Sequence, residues 1–400
     1  MINTYLDYGI HGGNSWLQDV KLAGLWETMF THKPFFLDVN HNEQNIAIIY
    51  YNHSIQHNTI FPETQMKEIK WCLDNNIKVF LDDSWEYGGE NLSQLTRQYE
   101  KFFLDNDIKI LTNTITDNPI FVDINSFFFS MRYQHDEWNH RTRQNTYYPR
   151  LHDKEYLYNL FIGDITKDKS SILYSTFAHN DLIDENSIVT KINNCNSVKS
   201  NLDKLNWLKD CDLNIKDSDY LPFINYAKNN QQQILKHDPW ELQFGYSYFD
   251  SKNPLNIIDE RRIPQEMLNC YFSVVNETVA ANGFYTEKTF KHIIAKLPFI
   301  IFGGSKDNQI FASKYGFELY DELFDYSFEE KQITADDGRY AIYKRAQHIA
   351  DNVKRIKKEP ISIFSQPSLI EKIEYNYYLY MKNSRTSKYK EHLYNVFTLA

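Results

Sequence analysis

The stretch that decides the fold runs from Tyr271 to Gly304 and reads YFSVVNETVAANGFYTEKTFKHIIAKLPFIIFGG. Its first part, Tyr271 to Asn276, predicts a buried strand, and Pro298 to Phe302 predicts a second strand that ends in two glycines. Between them, residues 286 to 297 predict a helix, because its apolar residues recur at i, i+3, i+4 and i+7: Phe290, Ile293, Ile294 and Leu297. A strand, a helix and a strand in this order indicate a parallel sheet covered by helices.

The start of the predicted helix carries three residues suited to a nucleotide. Thr286 can cap the helix by accepting a hydrogen bond from a backbone N–H group. The unpaired N–H groups and partial positive charge of a helix start suit a pyrophosphate, and Lys288 adds a full positive charge there. The carboxylate of Glu287 suits the two hydroxyls of a ribose, and Glu277, after the preceding strand, would face the same crevice. An ordinary capped helix with solvated charges explains the same residues equally well.

This segment resembles the donor-site motif of fucosyltransferase-type glycosyltransferases and of related phage and bacterial glycosyltransferases. Those enzymes have two facing Rossmann-like domains, the GT-B architecture. The resemblance rests on two glutamates ten residues apart, the second in Thr-Glu-Lys, then an amphipathic helix and a Pro-initiated strand that ends at Gly303. Gly303 and Gly304 would let the backbone approach the donor closely, although a plain turn after a strand also explains them.

The resemblance implies a role for each polar residue of the motif. Glu287 would hold the donor ribose, Lys288 its phosphates, and Glu277 would support the sugar or the loop. The family often has Arg where this chain has Lys167 and Lys169. Lys169 is therefore the candidate for a second phosphate contact.

The rest of the chain alternates apolar runs with helical stretches. Helices are predicted over residues 63–75, 92–105 and 339–357, and strands over residues 2–8, 46–51, 77–81, 108–112, 157–162 and 172–176. Residues 178–245 predict loops and short helices. We expect the α/β class, with two facing, doubly wound Rossmann-like domains in the GT-B arrangement. Residues 1–150 would form the acceptor-side domain and 151–365 the donor domain, and a helical segment, 366–400, would cross back to the first domain.

A glycosyltransferase also needs a base for the acceptor hydroxyl, and the carboxyl ends of the first domain's strands are where we expect it. Asp82 and Asp83 follow the strand predicted over 77–81, and a closing cleft would raise the pKa of a carboxylate there. Asp83 is also explained as a turn cap. His11, in a glycine-rich stretch after the first predicted strand, is a further candidate, although a lone His is more often structural.

Two stretches combine basic and aromatic residues, a pattern that suits a phosphate backbone and stacked or flipped bases. One contains Arg141 and Arg143 with two tyrosines close behind, and the other is the tail, residues 375–394, which contains Lys388. With Trp85, these three residues are the acceptor-binding candidates. A terminal helix packed on the first domain explains the tail as well.

Composition limits the classes of function. The chain has 400 residues and a net charge of -10, which gives no overall attraction to nucleic acid. Its mean hydropathy is -0.58, and since no apolar run approaches ~20 residues, we expect no membrane span. The first residues lack the features of a signal peptide, so we expect a cytoplasmic protein without stable membrane association. Four scattered cysteines predict free thiols, and neither a cofactor nor a metal is expected.

Three hypotheses of function follow. The first is a transferase that moves a sugar, arabinose or glucose, from a UDP-sugar to hydroxymethylcytosine in double-stranded phage DNA. This choice of acceptor rests on the basic aromatic stretches and on a composition rich in Asn, Lys, Ile and Tyr, which is typical of proteins from AT-rich genomes such as those of many phages. A phage-encoded protein would act in the host cytoplasm. The second keeps the chemistry but has a surface glycan or lipid-linked sugar as acceptor. The third is a non-catalytic nucleotide-sugar binding module.

Overall fold

A computed structural model describes residues 1–6, 25–37, 39–50, 63–83, 93–113, 118–132, 154–162, 167–191, 205–208, 217–235, 263, 265–278, 283–330 and 338–399. The chain divides into two compact units. The first unit comprises Met1–Asp136, Phe284–Thr286 and Met381–Ala400, and the second comprises Glu137–Gly283 and Glu287–Tyr380.

A parallel sheet forms the centre of the first unit. Its strands are β1 (Ile2–Leu6), β2 (Phe30–Lys33), β3 (Asn45–Tyr50), β4 (Lys78–Asp82), β5 (Lys109–Thr112) and β6 (Phe121–Asp123). They lie in the order β2-β1-β3-β4-β5-β6, and every neighbouring pair is parallel. The helices are α1 (Trp26–Met29), α2 (Glu63–Asp74) and α3 (Ser93–Asp105), with further helical residues at 126–132.

The sequence predicted most of this sheet. The strands predicted within 2–8, 46–51, 77–81 and 108–112 are confirmed as β1, β3, β4 and β5. These four strands could be recognised because a parallel strand covered on both faces is a nearly continuous apolar run. In β3, for example, every residue of Ile46–Ile49 is apolar and buried. Strands β2 and β6 were not predicted, since they have only four and three residues and most of these are partly exposed.

The second unit contains a second parallel sheet. Its strands are β7 (Tyr156–Ile162), β8 (Ser187–Lys191), β9 (Cys270–Asn276) and β10 (Phe299–Phe302), in the order β10-β9-β7-β8. All neighbouring strands are parallel. The helices of this unit are α4 (Asp168–His179), α5 (Tyr220–Asn229), α6 (Gln231–Leu235), α7 (Gln265–Leu268), α8 (Glu287–Ile294), α9 (Asp307–Tyr315), α10 (Ser327–Glu330) and α11 (Arg339–Ile356).

Two predictions in this unit are wrong. Residues 172–176 were predicted as a strand but lie within α4, where every residue from Lys169 to Phe177 is buried. A helix buried on all sides has no polar face, so a short apolar run does not distinguish it from a buried strand. Strand β8 lies in a stretch that was predicted to contain loops and short helices.

The strand order of the second sheet determines where a ligand crevice opens. The chain passes from β7 to β8 on one side and returns to β9 on the other, so the connections diverge between β7 and β9. In open parallel sheets a crevice forms outside the carboxyl ends of the strands at such a point. The residues that follow β9, from Glu277 onward, and the start of α4 after β7 are therefore placed at this edge. In the first sheet the same divergence lies between β1 and β3.

The tail, expected as one helical segment over 366–400, forms two helices, α12 (Pro367–Asn383) and α13 (Thr386–Leu399). Helix α13 belongs to the first unit, where the Phe397 ring meets those of Phe30 and Phe80 edge-on, with centroids 5.6 and 5.0 Å apart. The Tyr389 ring stacks on Phe129 at 4.5 Å. Within the described ranges, no helix combines the length and apolarity that crossing a membrane requires.

Replacing Phe397 by Ala should destabilise the first unit. The side chain is fully buried against two aromatic rings, so its removal leaves a cavity and should lower the free energy of unfolding by about 3–5 kcal/mol. Chemical denaturation followed by circular dichroism measures the change. Tyr394→Ala, on the same helix but 54% exposed, is the control and should change this free energy by no more than about 0.5 kcal/mol. Equal effects of the two substitutions would contradict the packing described.

Candidate functional site

Glu277 lies directly after β9, at the carboxyl edge of the second sheet. Its backbone N–H donates to the Phe302 carbonyl oxygen at 3.1 Å, which continues the pairing of β9 with β10 by one residue. The side chain is 1% exposed, and its carboxylate accepts a hydrogen bond from the Thr289 hydroxyl in α8. The carboxylate of Glu277 thus connects the end of the strand to the first turn of the helix.

Helix α8 begins at Glu287, and the buried Thr286 stands directly before it. The Lys288 ammonium lies 3.2 Å from Glu287 Oε1 and donates to the Thr278 hydroxyl at 2.8 Å. Burial disfavours the charged form of Glu287, but the charges of Lys288 and Lys291 hold the pKa of its carboxyl below the ordinary value. The side chain of Lys288 is 33% exposed. A buried, ionised acceptor therefore stands beside a partly exposed lysine.

Asp307 connects two loops at the same edge. It is the first residue of α9 and 0% exposed, and its Oδ1 accepts the Gly283 N–H at 2.9 Å while its Oδ2 accepts the Gly304 N–H. A Cβ atom on Gly303 would lie 1.9 Å from Asp307 Oδ2. Gly303 is thus required by the position of this carboxylate, a reason that the strand-and-turn pattern did not reveal.

Lys169, in the first turn of α4, lies at the carboxyl ends of β9 and β10. Its ammonium donates to Asn276 Oδ1 at 2.8 Å and to the Phe302 carbonyl oxygen at 2.7 Å, and the side chain is 6% exposed. Burial lowers the pKa of Lys169 to about 7, against the opposing charges of Glu277 and Asp307. In the conformation described, Lys169 therefore ties the two strand ends together, and its predicted role as a phosphate contact stays a prediction.

A cleft opens beside the glycine turn that follows β10. Gly303 and Gly304 form one part of its wall, and helix α11 contributes Arg345 and His348. Tyr326, which precedes α10, lines it as well. Arg345 is buried and lies near enough to Lys169 for its charge to oppose that lysine's protonation. Sequence reasoning missed this arginine because one cation within a long amphipathic helix carries no signal of its own.

The first unit holds two of the predicted acid–base candidates. Asp82 is the last residue of β4, and Asp83 follows it and donates its N–H to the Leu111 carbonyl oxygen at 3.0 Å. Both side chains are buried at the carboxyl end of the first sheet. Lys388, an acceptor candidate on α13, is exposed and lies 2.8 Å from Glu391.

Four predicted residues lie outside the part of the chain that the structure describes: His11, Trp85, Arg141 and Arg143. Among the residues it does describe, no group of three or more His, Cys, Asp and Glu side chains is arranged to hold a metal ion. Cys72 and Cys270 are free and buried.

No protein-family model and no curated protein matches this chain. The fold itself is a mixed α/β fold with two parallel sheets, compatible with two Rossmann-like domains. Function must therefore be argued from the residues at the carboxyl edge of the second sheet.

Gly303→Ala should destabilise the second unit by about 1–3 kcal/mol, because the new methyl group overlaps the Asp307 carboxylate. Because the clash is with one side chain, that of Asp307, a double-mutant cycle tests it. In an Asp307→Ala background the partner oxygen is gone, and the same glycine substitution should cost less than about 0.5 kcal/mol. Free energies of unfolding from urea titrations of the four proteins give the coupling. Additive effects would contradict the close approach of the two residues.

Proposed function

We propose that the protein is a glycosyltransferase that binds a nucleotide-diphosphate sugar, preferably a UDP-sugar, at the start of α8. The observation that carries the proposal is the pairing of a buried, ionised Glu287 with the partly exposed Lys288 on a helix start. This pair stands at the carboxyl edge of a parallel sheet, next to the point where its connections diverge. The resemblance of this segment to the donor-site motif of fucosyltransferase-type enzymes supports the same ligand.

The chemistry of the two side chains matches the two polar parts of such a donor. The ammonium of Lys288 and the backbone N–H groups at the start of α8 are suited to a pyrophosphate. The lowered pKa of Glu287 keeps its carboxylate ionised at neutral pH, so that it can accept hydrogen bonds from ribose hydroxyls. Glu277 would support this arrangement through its hydrogen bond from Thr289 in α8.

The proposed reaction is a displacement at the anomeric carbon of the donor sugar. The oxygen of the acceptor hydroxyl forms a bond to that carbon, the bond from the carbon to the diphosphate oxygen breaks, and its electron pair leaves with the nucleoside diphosphate. Developing negative charge on the leaving group is stabilised by Lys288 and the helix start. The acceptor proton goes to a base, for which Asp82, Asp83 and His11 are our candidates.

We propose hydroxymethylcytosine in phage DNA as the acceptor, with arabinose or glucose as the transferred sugar. Three tyrosines on the terminal helices support it, because they are exposed and offer flat faces for stacking on bases: Tyr375, Tyr378 and Tyr394. The net charge of -10 supports an uncharged glycan acceptor at least as well. The acceptor is therefore tested separately from the donor.

Lys288→Met should weaken the binding of UDP about tenfold or more, because it removes a cation from the phosphates, and Glu287→Gln should weaken it by a similar factor. Isothermal titration calorimetry with UDP and with GDP measures both effects. Lys296→Met removes a lysine of the same unit that pairs with Glu374, and it is expected to bind like the wild type. If all three variants bind like the wild type, the donor site lies elsewhere.

Transfer is tested by incubating the protein with UDP-glucose or UDP-arabinose and DNA that contains hydroxymethylcytosine. Digestion to nucleosides and mass spectrometry should reveal a nucleoside heavier by one sugar residue, and Lys288→Met should abolish it. Sugar transferred only to a glycan acceptor would identify the second hypothesis. Nucleotide binding without transfer or donor hydrolysis would identify a non-catalytic binding module.

A further inference from the structure

Asp307 lies outside the motif that suggested the donor site, yet its carboxylate joins both sides of that site. One oxygen accepts the N–H of Gly283, four residues before the start of α8, and the other accepts the N–H of Gly304, in the turn after β10. The carboxylate therefore fixes the separation between the chain that enters α8 and the glycine turn. Glu287 and Lys288 are carried by the helix that this chain enters.

We propose that Asp307 is a positioning residue of the donor site, which holds the Glu287–Lys288 start of α8 at a fixed distance from the Gly303–Gly304 turn. This inference rests on the proposed function. It adds a residue that touches no donor atom and acts through the two loops it joins.

Only a carboxylate can satisfy both loops. Each of its oxygens is an acceptor, whereas the amide of Asn has one acceptor and one donor, so Asn at this position would set an N–H group against another N–H group. The next residue, Asn308, illustrates the difference. Its amide accepts the Ile301 N–H at 2.8 Å and donates to the Ile301 carbonyl oxygen at 3.1 Å. An amide fits there because Ile301 presents one donor and one acceptor, whereas Asp307 meets two donors.

The groups that face Asp307 make this bridge sensitive to pH. Burial raises the pKa of the Asp307 carboxyl to about 7, and the charges of Glu329 and Glu277 act in the same direction, against the two N–H groups. Lys169 is the cation near it. Protonation places a hydrogen on one carboxyl oxygen, which weakens its bond to a backbone N–H. The carboxylate that completes the bridge should therefore predominate well above pH 7, and the protonated form well below it.

Two quantities should then change in opposite directions. The pKa of the Asp307 carboxyl is 3.8 in an ordinary setting and about 7 in the fold, so between these values the folded state binds more protons and this group's contribution to stability falls as pH rises. Donor affinity should rise as pH passes through 7, because the bridge becomes complete. A residue that served stability alone would not produce a rise in affinity.

The test uses UDP-glucose and GDP-fucose, whose diphosphates are doubly esterified and so keep their charge in this range. Dissociation constants are measured by calorimetry from pH 5.5 to 8.5 for the wild type, Asp307→Asn and Asp217→Asn. The last is the matched control, because Asp217 also accepts backbone N–H bonds in the second unit, but from Asp219 and Tyr220 and not from the glycine loops. The wild type and the control should bind several-fold more tightly at pH 8 than at pH 6. Asp307→Asn should bind about tenfold more weakly at pH 8 and should lack the rise between pH 6 and 8.

A wild-type affinity that stays constant or falls from pH 6 to 8 would overturn the inference, and this measurement does not require the variant to fold. A fall would point to loss of the Lys169 charge, and it would persist in Asp307→Asn. A folded Asp307→Asn protein with the affinity and pH profile of the wild type would overturn it as well. If the wild type binds neither sugar nucleotide at any pH, the proposed function fails and the inference fails with it.

Discussion

Buried charge at the carboxyl edge of the second sheet is the constraint on which the rest of this region depends. Lys169, Glu277 and Asp307 are each almost completely buried beside the carboxyl ends of β9 and β10. Removing such groups from water costs several kcal/mol each unless hydrogen bonds replace those to water. Here the replacements are a strand carbonyl, a threonine hydroxyl and two glycine N–H groups. The charges are tolerated only while the strands, α8 and the glycine turn keep these positions.

This constraint connects the fold to the proposed chemistry. A parallel sheet places all of its carboxyl ends at one edge, and the order β10-β9-β7-β8 brings the loop after β9 and the start of α4 to the same edge. The polar groups collected there differ in exposure. Lys169, Glu277 and Asp307 are almost completely buried and bond to the protein, whereas the side chain of Lys288, which bonds to Thr278 and Glu287, is 33% exposed at a helix start. The buried groups hold the edge together, and the partly exposed lysine is suited to a ligand.

Much of this arrangement could be predicted from the sequence because it is local. The β9–α8–β10 segment was predicted to within a few residues at each end, since its apolar periodicity and its Pro and Gly boundaries lie within one short stretch. The short strands β2 and β6 were missed because three or four half-exposed residues form no recognisable pattern. Helix α4 was taken in part for a strand because it has no polar face.

The contacts that span long distances in the chain were beyond sequence reasoning. Asp307 was not among the predicted site residues, since an acidic residue in the first turn of a helix is ordinary and its bond to Gly283 crosses 24 positions. Lys169 was predicted to contact phosphate, which stays a prediction, but its bonds to Asn276 and Phe302, at separations of 107 and 133, could not be foreseen. Spacing within a motif identifies residue types suited to a ligand, but the burial of a charge depends on segments that meet only in the fold.

The proposed function depends most directly on whether a sugar nucleotide binds at the start of α8. Hydrogen–deuterium exchange with and without UDP-glucose or GDP-fucose, read by mass spectrometry of peptides, measures this without any substitution. Exchange should become slower in peptides that cover residues 283–290 and 303–308, where the helix start and the glycine turn lie. Protection confined to other segments, with these two unchanged, would contradict the proposed donor site.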